Sequence, residues 1–351
     1  MLCRRFYLSR MSLFKGFYRA CQACVIDERG RALSNERFPS THESLDVFLA
    51  GIKDAKFVLE STGIWEYIYE GIEDRGFEVV LAHPLKVRAI AEARVKTDKV
   101  DAETLAQLLR ADLIPRSWVP SRDIRDLRQL VRQRTYLARQ STSFKNRISA
   151  ELLRRGIRRP PELKTSFTKK DIERMRSLDV PTITSNLDCL ERIQAQIEAM
   201  NQQLLVEFKR RPDAQLIATI PGIGFYGALL IHAEIDDINR FPDPEHLAAY
   251  AGLVPTVSQS ASTVHYGGIS KEGSAYLRWI LIEAVHIHRH THPESRLSRF
   301  HSKLEKRRGK NKATTATARK LTHIIYWMLK TREPYHSQGF NPVNKPARTS
   351  A

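Results

Sequence analysis

Three carboxylates and a run of hydroxyls are the residues of this chain best placed to do chemistry. Glu60 closes the apolar run KFVLE, and Asp98 and Asp101 sit three apart in VKTDKVDAETL. Residues three apart on a helix are neighbours on one face, so these two carboxylates can converge. Acids at a strand end and a helix start, on a mixed sheet, are how metal-dependent nucleases hold paired divalent ions. The competing account is local: Asp98 caps the helix, Asp101 complements its dipole, and Glu60 is a solvated strand end. The hydroxyls lie in TVSQSAST, residues 256–263, ahead of VHYGGISKEGSAYLR. A serine can attack a phosphodiester when nearby cations or a metal stabilise its alkoxide, although most hydroxyl-rich loops are only loops.

Two further features suggest phosphate contact. Pro221-Gly222-Ile223-Gly224 joins two apolar helical segments. Glycines there allow close backbone approach to a phosphate at a helix start, in helix–hairpin–helix style, though an interhelical turn explains them equally well. Between Arg116 and Arg159 a helical pattern is dense in arginines, among them Arg128, Arg132 and Arg139. Such a face gives salt-sensitive, sequence-independent affinity for nucleic acid. Cys21-x-x-Cys24 has no second pair at zinc spacing, and of His286, His288, His290 and His292 only residues four apart share a helix face. Free core thiols and a helix end are the better readings of those two groups.

The elements that must position these residues follow from the pattern. ACQACVID, residues 20–27, and RALSNERF form a candidate hairpin around a DERG turn. A short helix follows, 44–52, with Ser44 as its N-cap. Strand and helix then alternate: KFVLE, a helix ending at Gly76, FEVVLA, a helix near 85–93 and a longer one over 98–111. A hairpin followed by alternating strand and helix predicts a mixed sheet with helices packed on it. Apolar residues at helical spacing then mark two long helices, one over 123–159 and one over 186–208, fitting an antiparallel pair or coiled-coil arm, with RRPPELKTSFTKKD between them as a linker given Pro160 and Pro161. Helices are also expected over 274–290 and 316–330.

Composition bounds the class. The 351 residues carry 57 Lys+Arg against 39 Asp+Glu, a net charge of +18 that favours a polyanionic partner. No run of about 18 apolar residues exists, which argues against a spanning helix. Four cysteines are too few for a disulfide framework in a chain of this length, so a reducing, cytoplasmic setting is expected. Residues 1–19 are basic and aromatic, lack an uninterrupted apolar core, and do not read as a secretory signal. Met11 offers an alternative start.

LESTGIWEYIYEGIEDRGFEVVLAHPLKVRAIAEARVKTDKVDAETLAQLLR resembles the amino-terminal domain of the insertion-sequence 110 family of transposases. The stretch from LIATIPGIG to LRWILIEAV resembles their carboxy-terminal domain. The pieces T-D-K-x-D-A, P-G-I-G, A-x-Y-x-G-L-V-P and S-K-x-G-S-x-x-L-R occur in the family's order and are specific jointly. The resemblance implies an α/β fold: a RuvC/ribonuclease H-like mixed sheet with helices over 20–118, a helical coiled-coil arm over 119–211 and a mainly α domain over 212–335, with a tail at 336–351. It implies an RNA-guided DNA recombinase using magnesium, held by an Asp-Glu-Asp-Asp set in which Glu60, Asp98 and Asp101 match the second, third and fourth acids. Ser260 matches the nucleophilic serine. Ser258 and Ser262 are lesser candidates, because Ser260-Ala261-Ser262 stands where the family has Ser-Gly-Gly. Lys271 and Arg278 are expected to contact the scissile phosphate. DNA, a guide RNA and further copies of the chain, as a dimer or tetramer, are the implied partners, without a membrane.

One departure matters. The family's first acid lies in a G-I-D-V-H-K segment, where this chain reads FKGFYR with Lys15 at about the aspartate's place. A cation for a metal-binding carboxylate removes a ligand and adds repulsion. An altered 5′ coding end and an inactive copy are therefore expected. Two alternatives stay open: a Holliday-junction-type nuclease that needs no serine, and a non-catalytic DNA- or RNA-binding protein.

Overall fold

The computed structural model describes residues 7–9, 20–61, 63–91, 97–157, 167–260 and 263–336, with the backbone alone at 7–9, 257–260, 263–264 and 266. It divides into two compact units, 1–119 and 120–351.

The first unit is built on a five-stranded sheet of order β3-β2-β1-β4-β5. Its strands are β1 (Tyr7–Ser9), β2 (Ala20–Ile26), β3 (Ala32–Pro39), β4 (Lys56–Glu60) and β5 (Glu78–Ala82). β1 and β2 are antiparallel, as are β2 and β3, while β1, β4 and β5 run parallel. The sequence pattern places the folded domain at 20–118, yet β1 is the middle strand of its sheet. A three-residue segment has no periodicity to reveal it; the sheet recruits it because β2 and β4 each leave an unpaired edge. Lys15 lies outside the described residues.

Helices cover both faces of the sheet. α1 (His42–Leu49) and α2 (Trp65–Glu73) bury Leu45, Ile68 and Ile72 against Cys21, Val25, Phe57 and Leu59. α1 starts earlier than expected, and Thr41, rather than Ser44, is its N-cap: the Thr41 hydroxyl accepts from the Ser44 N–H at 3.2 Å. After the short α3 (Pro84–Ile90), α4 (Asp98–Arg110) covers the other face. Its Ala102 and Ala106 pack with Cys24 and Ile26, and its Leu105 and Leu109 with Val58 and Val80.

Among its described residues the second unit is helical apart from one hairpin. α5 (Arg122–Arg154) and α7 (Pro181–Lys209) run antiparallel, as Arg211 to Asp123, Arg134 to Asn201 and Thr182 to Glu151 show along their length. The short α6 (Lys169–Arg176), absent from the sequence reading, closes a small core with their far ends through Ile172 and Met175. The main core joins α8 (Pro212–Ala218), α9 (Phe225–Ile235), α10 (Pro244–Tyr250), α11 (Ala275–Thr291) and α13 (Lys310–Thr331), with α12 (Arg296–Arg308) beside it. Between α10 and α11 stand β6 (Pro255–Ser260) and β7 (Thr263–Ile269), paired antiparallel. Among the described residues no helix is long and apolar enough to cross a membrane.

Candidate functional site

The acids of the first unit share one end of one sheet face. Glu60 lies two residues beyond Val58, so strand alternation puts it on the α4 side, level with Ala82 of β5. α4 is laid in direction by two bonds: Asn35 Nδ2 donates to the Lys99 carbonyl at 3.3 Å, and Gln107 Nε2 to the Gly30 carbonyl at 2.6 Å. Its last turn therefore lies at the β2–β3 turn, and its first turn at the opposite end, where β4 finishes with Glu60. Asp98 and Asp101 occupy that first turn, and Ala102 and Leu105 behind them face the sheet. All three acids are half-buried. Thr97, not Asp98, caps the helix, its hydroxyl accepting from the Val100 N–H at 3.3 Å, so Asp98 is not needed for that task. Even so, among the described residues no group of three or more His, Cys, Asp or Glu stands at metal-holding spacing. β1, the central strand, carries Tyr7, Leu8 and Ser9 and no carboxylate.

The hydroxyl-rich segment of the second unit is a hairpin, not a loop. Its alternating Thr256-Val257-Ser258 and Thr263-Val264-His265-Tyr266 was the overlooked signal. Ser260 is the last residue of β6, in register with Thr263, and Ser258 pairs with His265; Ser262 lies outside the described residues. The base of the hairpin is locked by the two motifs that flank it. The Ser270 N–H donates to the Val254 carbonyl at 2.9 Å and the Ser274 N–H to the Tyr250 carbonyl at 2.8 Å. Gly252 (φ +65°) and Gly273 (φ +85°) allow this approach: a Cβ on the first would strike Arg278 Nη1 and the Glu272 carbonyl, and on the second the Tyr250 carbonyl. Arg278, expected at a phosphate, donates from Nη1 to the Ala251 carbonyl at 3.1 Å, closing α10. Lys271 is exposed beside it, with φ of 56°.

Beneath this base sits Glu234, a residue the sequence reading passed over inside an apolar helix. Its carboxylate is wholly buried and accepts Arg132 Nε at 2.9 Å, Arg132 Nη2 at 3.1 Å and the Ser274 hydroxyl at 2.8 Å. Ser274 in turn caps α11, accepting from the Leu277 N–H at 3.1 Å. Arg128 donates from Nε and Nη2 to the Ala233 carbonyl at 3.0 and 2.7 Å, satisfying the end of α9. The arginine-dense face is thus partly engaged within the fold: Arg128 and Arg132 fix α9 and the hairpin base, whereas Arg139 is exposed.

The two glycines of the P-G-I-G turn differ. Gly222 (φ +94°) abuts α11, where a Cβ would lie 2.8 Å from the His288 backbone nitrogen, so close packing rather than phosphate approach explains it. Gly224 is the N-cap of α9 and faces open space. His288 is buried, its Nδ1 paired with the Pro221 carbonyl at 2.7 Å and its Nε2 with the Ser295 hydroxyl at 2.8 Å, and burial lowers its pKa. Cys21 and Cys24 are free buried thiols; burial pushes Cys21 up to about 12, and burial with the nearby Glu103 charge pushes Cys24 up to about 11.

Comparison with known proteins decides the family. Residues 19–155 match the model of the DEDD-type insertion-sequence 110 transposases, and residues 214–301 match that of the transposase IS116/IS110/IS902 family. The chain belongs to the insertion-sequence 110 family of transposases. It is 28% identical over 326 residues to the transposase for insertion sequence element IS1111A of Coxiella burnetii, covering 90% of this chain and 88% of that one. It is 26% identical over 321 residues to the transposase for IS1328 of Yersinia enterocolitica, covering 90% and 94%. A pilin gene-inverting protein of Moraxella lacunata is 29% identical over 287 residues, covering 79% and 81%. The two matched regions of this transposase contain Glu60, Asp98 and Asp101 and the β6–β7 hairpin respectively.

Proposed function

We propose that this transposase cuts and rejoins DNA through a covalent link to Ser260, with an RNA guide choosing the site. The observation that carries the reading is the locked base of the β6–β7 hairpin, which presents the end of β6 from a fixed platform. In this scheme Ser260 Oγ attacks the scissile phosphorus, a phosphoserine ester forms, and the departing sugar oxygen takes the serine's proton. A sugar hydroxyl from the new partner strand then attacks the ester, its proton returns to Ser260, and a phosphodiester is restored without hydrolysis. Lys271 supplies charge to the phosphate. The relative named for inverting a pilin gene supports rejoining over simple cutting.

The sheet order, with acids at one end of the α4 face, supports reading the first unit as RuvC-like. The DEDD-type family model supports divalent-metal dependence, and magnesium is the ion of this reading. The acids as they stand do not make a metal-holding group and β1 adds no carboxylate, so strand cleavage by this copy is expected to be impaired. DNA is the substrate, and assembly into a dimer or tetramer belongs to the same reading.

The test is a labelled DNA carrying joined element ends, incubated with the full chain and magnesium and resolved under denaturing conditions. Any protein–DNA adduct should vanish in Ser260→Ala and persist in Ser258→Ala and Ser262→Ala. An adduct that survives Ser260→Ala would reject the serine mechanism. Cleavage without an adduct would favour a junction nuclease. Retention of DNA with no cleavage, unchanged in Asp98→Ala/Asp101→Ala, would favour a non-catalytic binder.

A further inference from the structure

A groove of about 710 Å³ runs along the outer face of α5, bounded by the first turn of α11. Gln129, Arg132, Gln133 and Tyr136 of α5 line it at helical spacing, and Tyr276 of α11 joins them. Tyr136 is 54% exposed and has no ring partner among the described residues, an unusual position for a large aromatic with nothing to cover it. The Tyr276 ring lies under two guanidinium groups, with the Arg132 carbon 4.8 Å and the Arg139 carbon 5.5 Å from its centre. Glu234 engages Nε and Nη2 of Arg132 and leaves Nη1. Arg139 is exposed with no carboxylate partner among the described residues.

Aromatic faces, side-chain amides and guanidinium groups together match the chemistry of an unpaired nucleotide. The volume falls within that of small-ligand sites, roughly 300–1,000 Å³. Charge is graded along the helix. Asp126 stands in the lining at one end, and Arg139 lies past Tyr136 at the other, about 20 Å away at the helical rise. A duplex presents no free base face to Tyr136. A second copy of the chain is the competing occupant, since tyrosine and arginine are common at subunit interfaces; Asp126 in the lining counts against it, because acids are depleted there.

We infer that this groove holds an unpaired nucleotide of a DNA or RNA strand, its base stacked on Tyr136 and its phosphate at Arg139 and Arg132. The inference rests on the nucleic-acid reading above but not on Ser260. It brings a single strand alongside the hairpin base, since Arg132 touches both the groove and Glu234.

The test measures fluorescence anisotropy of labelled oligothymidylate, oligouridylate and a duplex of equal length against the full chain. Tyr136→Ala should weaken single-strand binding by about fivefold to a hundredfold, the range for one stacked base. Duplex affinity should change by less than about twofold, and Tyr136→Phe should bind as the parent does. Arg139→Glu should weaken single strands similarly and flatten the salt dependence. Preference between the two oligomers identifies the strand as DNA or RNA. Wild-type single-strand binding that Tyr136→Ala leaves intact would overturn this inference alone. So would an equal loss on duplex, or a changed oligomeric state in Tyr136→Ala. Wild-type protein that retains neither probe would overturn the nucleic-acid reading itself.

Discussion

Replacing Glu234 by Gln tests whether the hairpin base is held as described. The carboxylate is fully buried and takes two bonds from Arg132 and one from the Ser274 hydroxyl. Breaking a buried ion pair by removing one charge costs roughly 3–5 kcal/mol, because the partner is left uncompensated. Here the Arg132 side chain is 36% exposed and can recruit water, which moves the expectation to the lower end. Glutamine keeps one oxygen acceptor and the side-chain volume, so a loss of about 2 kcal/mol is expected for Glu234→Gln. Ser274→Ala removes the α11 cap and should cost about 1 kcal/mol. Because the two residues share a bond, the double variant should be less destabilised than the sum by about 0.5 kcal/mol or more. Urea titration of the full chain followed by ellipticity, which the long helices of the second unit dominate, measures all three. Glu234→Gln within about 0.5 kcal/mol of the parent, or strict additivity with Ser274→Ala, would refute this account of the base.

Gly222→Ala should fold poorly, since its Cβ would meet α11 and its backbone is left-handed, while Gly224→Ala should keep the parent's stability; thermal melts of both decide it. If Gly224 approaches a phosphate, the Gly224→Ala protein should still lose duplex affinity in a retention assay. Burial holds His232 down at about 4, so the folded chain binds fewer protons than the unfolded chain between about pH 4 and 6.5. Stability from this group is complete above that window and is lost as pH falls through it; His232→Gln should flatten the decline in Tm from pH 7 to 4. The Cys21 and Cys24 thiols should resist iodoacetamide at neutral pH in the folded protein and react after denaturation, as mass spectrometry would show.

The sequence was most legible where one periodicity ran unbroken. β4 and α4 fall where KFVLE and DKVDAETLAQLLR predicted them, and α5 and α7 follow from apolar spacing over many turns. It was least legible where elements are short or defined by a partner. β1 has three residues and exists only through its neighbours, and α6 is a helix of eight that needs the ends of α5 and α7 to bury Ile172 and Met175. For the site, residue type and spacing singled out the acids and the hydroxyl-rich stretch, and the family resemblance singled out Ser260, but none of these told what each arginine does. Arg128 and Arg139 look alike in a basic run, and only the fold shows that one closes α9 while the other remains at the surface. Glu234 was hidden because a single acid among Leu230, Ile231, Ala233 and Ile235 reads as a solvated exception, whereas it is the polar centre of the domain.

The hairpin's anchorage by main-chain amides and two glycines has an evolutionary consequence. Peptide groups are the same whatever side chains flank them, so the segment they clasp works as an interchangeable cassette. Side-chain drift can accumulate along it without shifting where it is displayed, and new segments can be grafted onto an unchanged frame.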